Sequence, residues 1–357
     1  MLPRNLMLER VWRDPVVTAY EGDALAAELS GGGPDDFAAW ARSVRHDDTT
    51  SRGAAAVLSR RADATTMEMQ THTLETPDVD LVYDVRGPSP TAGGRPPLLM
   101  VGHPMDARGF DTLASYFSDR TVVTYDPRGI GRSIRKDGRD DRTPELHAAD
   151  LHALITALGI RPVDVFASSG GAVNALALVA EHPEDVGTLV AHEPPLLTLL
   201  PDADRALAAE RDVQAAYHRK GFGAGMARFI AMTSWQGEFT DEYAAQPGPD
   251  PAQFGLPTED DGARDDPLLS GTATAITSYR PDVQALAAAP TRVVIAAGVE
   301  SRTAMTGRAA AATAQALNQP LTEFPSHHGG FLGGEFGYAG EPEAFAARLR
   351  EVIDGNT

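Results

Sequence analysis

The sequence predicts an α/β fold, a mostly parallel sheet flanked by helices, and three observations carry that reading. From residue 71 onward, short apolar and β-branched runs alternate with stretches of helical apolar spacing, the rhythm of β-α-β units. One run, residues 163–168, passes abruptly through small residues into a second apolar stretch, residues 172–179, as a buried strand turning into a buried helix would. Residues 196–288 break the rhythm with helical spacing and no strand, which marks an insertion into the alternating pattern.

The elements follow in order. Residues 71–75 and 79–85 alternate apolar and polar positions around Asp78, a hairpin. A Pro/Gly-rich loop precedes a buried strand at 97–101, which ends in Gly102-His103-Pro104. A short helix at 110–117 leads to a strand at 121–125 and the turn Asp126-Pro127-Arg128-Gly129-Ile130-Gly131. Thr143 and Pro144 read as N-cap and first helical residue. Leu151, Leu154, Ile155 and Leu158 keep helical spacing until Gly159 stops the helix. A strand at 186–191 runs into His192-Glu193-Pro194-Pro195. In the insertion, 205–219, 226–235 and 270–288 read as helices and 246–266 as a loop. The alternation resumes with a strand at 291–298, a helix at 303–317, a strand at 321–324 and a closing amphipathic helix at 342–353. Residues 1–66 carry weak periodicity and read as a poorly ordered extension, or as a segment upstream of a domain that starts at Met67 or Met69. The expected division is a core of 67–195 and 289–357, with 196–288 as a helical lid.

Composition narrows the function. The 357 residues carry a net charge of −19, which disfavours nucleic acid and anionic membranes as partners. No run approaches the roughly 18 apolar residues of a membrane span, and the N-terminus lacks the apolar stretch of a signal peptide. The absence of cysteine excludes disulfides, a thiol nucleophile and thiolate metal sites, and suits a cytoplasmic protein. Arginine far outnumbers lysine and alanine, glycine and aspartate abound, a balance typical of GC-rich bacterial genomes.

The chemistry centres on Ala167-Ser168-Ser169-Gly170-Gly171. A strand that turns this sharply into a helix strains the middle residue, so its neighbours two away must be small. That is the pattern G-x-S-x-G with alanine first, and it nominates Ser169 as a nucleophile beside the amide donors of a helix N-terminus. The dinucleotide-binding pattern G-x-G-x-x-G is not met. A serine hydroxyl needs a base within hydrogen-bond reach and a carboxylate to orient that base. Acids follow the next two strands, and His327 and His328 follow the last.

With Gly102-His103-Pro104, the Asp126–Gly131 turn, the Ser169 turn and His328-Gly329-Gly330-Phe331 in this order, the chain from about residue 71 resembles the α/β-hydrolase superfamily, helical lid included. The resemblance implies His328 as the base in preference to His327. It places the acid most often after the strand that follows the lid, which points to Glu300, one residue earlier than the common spacing. Some members, haloalkane dehalogenases among them, carry a glutamate after the preceding strand, which matches Glu193. It implies an oxyanion hole from the Gly170 and His103 amides, with Met105 as the fallback because Pro104 has no N–H, and a His103 imidazole facing the pocket. It implies a structural role for Asp126–Gly131. Met226, Phe229, Met232 and Trp235 either line an acyl pocket or pack the lid helices together. The expected activity is hydrolysis of a small-molecule ester or lactone through an acyl-enzyme, with no metal or cofactor. The same residues would serve a thioesterase or C–C bond hydrolase, and the fold alone would serve a non-catalytic small-molecule binding protein.

Overall fold

Strands covered on both faces carry continuous apolar runs, whereas strands open to solvent on one face alternate. The structure, a computed structural model describing residues 69–88, 94–272 and 274–355, sorts its strands by that rule. The expectations for residues 1–66 lie outside the described residues. Strand β1 (Met69–Glu75) is an almost fully exposed edge, and β2 (Val79–Arg86) is partly buried beside it. Strands β3 (Leu98–Val101) and β4 (Val122–Tyr125) are buried at every residue. After the two-residue β5 (Ile134–Arg135), which the sequence pattern did not reveal, come the fully buried β6 (Val163–Ser168) and the nearly fully buried β7 (Val186–His192). Strands β8 (Arg292–Gly298) and β9 (Thr322–Phe324) complete one sheet in the order β1-β2-β4-β3-β6-β7-β8-β9, with β5 on β2. β2 pairs antiparallel with β1, β4 and β5; all other pairs are parallel.

The chain leaves β3 toward β4 and returns on the other side to β6, so the direction of winding reverses between β3 and β6. The crevice beyond the carboxyl ends at such a reversal is where ligands bind in open parallel sheets. Both motifs singled out in the sequence, the loop after β3 and the turn after β6, open into it.

Helix α1 (Pro144–Leu158) begins as its sequence dictates: Thr143 accepts a hydrogen bond from the Leu146 amide, and Gly159 closes the helix with φ 67°. It packs beside α2 (Gly170–Glu181) on one face of the sheet, against Leu99, Val101, Val123 and Val165. The residues between them in the strands, Leu98, Met100 and Phe166, face the other way, onto the C-terminal helix 342–354. A period-two pattern thus serves two cores from the same strands.

Residues 196–288 add no strand to the sheet. Helices α3 (Ala203–Lys220) and α4 (Phe222–Ser234) form a third apolar cluster with Leu197, Met305 and Ala309. Met226 and Met232 are buried in it, with Phe229 and Trp235 against its edge, so these side chains hold helices together. The single helix expected over 270–288 is instead two short ones, Thr274–Thr277 and Val283–Ala288. Pro281 explains the break, since proline lacks the amide hydrogen and drives the preceding Arg280 out of helical geometry.

Helix α2 starts hard against the end of β3. A Cβ added to Gly171 would stand 2.4 Å from the Val101 carbonyl oxygen, which is backbone and cannot yield. Gly171→Ala is therefore expected to lower stability by about 2–4 kcal/mol, read as a shift of the urea midpoint. An unchanged midpoint would show that β3 and α2 can part.

Helix α3 carries a buried carboxyl, Glu210, whose Oε1 accepts a hydrogen bond from the Thr277 hydroxyl at 2.6 Å. Burial pushes its pKa up from 4.5 to about 7, against the weaker pull of the Thr277 hydrogen bond and the Arg211 charge. Between those values the folded chain holds a proton that the unfolded chain has released, so stability falls as pH rises through this window. Relative to wild type, Glu210→Gln should gain up to about 3 kcal/mol between pH 5 and 8. Parallel urea midpoints of the two proteins across that range would contradict it.

Candidate active site

The turn after β6 places Ser169 at φ 58° and ψ −131°, a conformation that costs a residue with a side chain and persists only where the surroundings enforce it. They do so from both ends. The Ser169 amide donates to the His192 carbonyl at 3.0 Å, tying the turn to β7. The next residue, Gly170, lies so near the loop after β3 that a Cβ would stand 2.9 Å from the His103 carbonyl oxygen. Ser169 remains partly exposed at the N-terminal end of α2, where unpaired amides and the helix dipole favour negative charge. Its neighbour Ser168 is buried, with Oγ 3.3 Å from His192 Nδ1. The two adjacent serines are thereby separated into one facing the crevice and one packed beneath it.

Strand β7 ends as β6 does. Glu193 adopts φ 49° directly after it, and its amide donates to Ala296 of β8 at 2.9 Å. The side chain is fully buried and accepts three hydrogen bonds: from the Gly298 amide at 2.9 Å, the Thr306 hydroxyl at 2.5 Å and His328 Nδ1 at 2.6 Å. Burial alone pushes its pKa up. The charge and hydrogen bond of His328, with the Thr306 hydrogen bond, outweigh that and hold the carboxyl well below the usual range.

The histidine loop follows β9. Ser326, at φ 66°, presses its carbonyl toward Gly298 and accepts the Glu300 amide at 3.0 Å. His327 turns its Nδ1 to the Gly329 amide at 3.1 Å. His328 turns the other way, onto Glu193, with its ring 41 % exposed and its second nitrogen free of any hydrogen bond to the described residues. The preference for His328 over His327 agrees with this geometry.

The preference for Glu300 does not. Glu300 lies in a one-turn helix after β8 with its side chain exposed, and it makes no hydrogen bond or ion pair with a histidine among the described residues. The carboxylate on His328 is Glu193. The loop that carries Glu300 is used through its backbone, closing β8 onto the histidine loop.

The loop after β3 also departs from expectation in one respect. The His103 side chain is buried rather than open to solvent, edge-on to His147 with ring centroids 4.7 Å apart and with Nδ1 beside Gly170. Burial, with the nearby Arg142 charge, pushes its pKa down to about 3, so the ring is neutral. The backbone of His103 borders Gly170. Met105 is wedged against Gly102 and Gly109. In the Asp126–Gly131 turn, Arg128 makes a bidentate pair with Asp150 of α1 at 2.6 and 2.7 Å, which fixes the loop as the sequence suggested.

Two participants escaped sequence reasoning. Thr306, in the first turn of the helix Met305–Ala316, reaches Glu193 from across the sheet's edge with no motif around it. His192 is fully buried among Phe166, Phe324, Phe331 and Phe345, and its ring stacks at 6.1 Å from His328. Burial pushes its pKa down to about 4 despite the Glu193 charge, so it stands neutral beside the carboxylate.

Comparison with known proteins points the same way. A family model for the alpha/beta hydrolase fold matches residues 98–232. An uncharacterized hydrolase, YraK, of Bacillus subtilis is 29 % identical over 301 residues, covering 81 % of this chain and 97 % of its own. A proline iminopeptidase of Xylella fastidiosa is 29 % identical over 180 residues, 43 % of this chain and 57 % of its own. Among solved structures, an esterase of Exiguobacterium antarcticum superposes with a TM-score of 0.55 at 18 % identity, over 80 % of this chain and all of its own (100 %). No helix among the described residues is long and apolar enough to cross a membrane. Strand order, the turn at Ser169 and these likenesses converge on one conclusion: the chain has the alpha/beta hydrolase fold.

Proposed function

We propose that the protein is a serine hydrolase that cleaves a small-molecule ester or lactone through an acyl-enzyme on Ser169. The observation that carries the reading is the 2.6 Å hydrogen bond between buried Glu193 and His328 Nδ1, which leaves the other ring nitrogen for a serine held in the strained turn after β6.

In this reading Glu193 fixes the His328 tautomer, with the proton on Nδ1, and stabilises the imidazolium that forms. His328 Nε2 takes the Ser169 proton as Oγ attacks the substrate carbonyl. The Gly170 and His103 amides receive the oxyanion at the start of α2. The tetrahedral intermediate collapses, and His328 gives its proton to the departing alkoxide. Water, deprotonated by His328, then attacks the acyl carbon, and the acid leaves as Ser169 recovers its proton. Residues 196–288 act as the lid that covers the crevice and shapes the substrate site. Thr306 is a positioning residue, donating to Oε2, the same Glu193 oxygen that His328 Nδ1 engages.

The esterase among the structural relatives supports an ester, and the iminopeptidase among the sequence relatives keeps an N-terminal amide as the second reading. Both use the same serine chemistry, as thioesterases and C–C bond hydrolases do, so substrates must separate them. A panel of p-nitrophenyl esters of graded chain length, lactones, acyl-thioesters and prolyl anilides is expected to show ester or lactone turnover that Ser169→Ala abolishes. Glu193→Gln should lower kcat by about 10³–10⁴-fold, whereas Glu300→Gln should stay within about twofold. Ester turnover that survives Ser169→Ala would overturn the mechanism, and turnover of prolyl anilides alone would replace the substrate class.

A further inference from the structure

At the amino ends of the parallel strands, opposite the serine, stands a second group of histidines and a carboxylate. Asp185 belongs to the turn that leads from α2 into β7, and its side chain is fully buried. His182 sits three residues earlier in the same turn, which the Asp185 amide closes by donating to the His182 carbonyl at 3.1 Å. His152 approaches from α1. Its Nδ1 lies 2.6 Å from Asp185 Oδ2, and its ring stacks on that of His182 with centroids 3.7 Å apart and planes at 14°. One ligand atom from each of the three residues lies within 4.8 Å of the others.

We propose that His152, His182 and Asp185 bind a divalent transition metal of the zinc type, with water in the fourth position. Two imidazoles and one carboxylate form a borderline donor set that suits zinc and excludes calcium or magnesium as preferred ions. Tetrahedral zinc with ligand bonds of about 2.1 Å brings its donors to roughly 3.4 Å from one another. The present spacing reaches that by side-chain rotation of His152 and His182, both partly exposed, around the fixed Asp185. The metal replaces the proton shared by His152 and Asp185. Arg161 holds the other Asp185 oxygen at 3.1 Å, which orients Oδ2 toward the histidines. Its charge also opposes a second cation, so the affinity expected is micromolar rather than nanomolar. A bound ion would pin α1 to the turn before β7. It would act on stability and leave turnover untouched, because the parallel strands separate this turn from the Ser169 end of the sheet.

Calorimetric titration of the full chain with zinc chloride at neutral pH tests the proposal. Wild type is expected to bind one ion here, with His182→Phe and Asp185→Asn each weakening binding by about tenfold or more. His182→Phe keeps the ring stack, so its fold and ester turnover should match wild type, which separates a lost ligand from a lost fold. Zinc should raise the thermal midpoint of wild type and not of His182→Phe. No saturable binding by wild type, equal affinity in His182→Phe, or binding lost only in His328→Ala would each overturn the site.

Discussion

The approach of α2 to the end of β3 governs the rest of this structure. With no room for a single carbon between Gly171 and the Val101 carbonyl, the strand-to-helix turn after β6 cannot relax outward. That constraint keeps Ser169 in a left-handed conformation and brings the His103 backbone against Gly170. The Ser169 turn and the neighbouring His103 backbone are thus set by packing contacts between backbones, before any side chain is considered.

A second constraint, electrostatic in kind, acts one strand away. Burying the Glu193 carboxylate is costly unless its oxygens are fully met by donors. A backbone amide, a hydroxyl and an imidazole meet them, each from a different element: β8, the helix that follows it, and the loop after β9. The same bonds that make the burial tolerable fix the direction of His328. Neutral His192 below the pair adds no competing charge, and the phenylalanines around it keep water from the buried side.

Much of this was legible in the sequence. Buried strands announce themselves as apolar runs, Thr143-Pro144 and Gly159 as the ends of a helix, and small residues around Ser169 as a tight turn. His328 could be told from His327 by the glycines and phenylalanine after it. The carboxylate could not be read as surely, since Glu193 and Glu300 both follow parallel strands that end in the same crevice. What decides between them is a left-handed turn at a non-glycine residue, which leaves no mark in composition or spacing. Thr306 was invisible for a related reason: its role depends on which helix the sheet places beside Glu193. The break at Pro281 was legible, and only the helical spacing on either side of it obscured the point.

Glu193, directly after β7, carries the hydrogen bond that sets the direction of the His328 ring. The most direct measurement is low-field proton NMR of the His328 Nδ1 hydrogen in wild type, Glu193→Gln and Glu300→Gln. A carboxylate at 2.6 Å should shift that hydrogen well downfield in wild type and Glu300→Gln, and the signal should collapse in Glu193→Gln. A signal that persists in Glu193→Gln and disappears in Glu300→Gln would contradict the account.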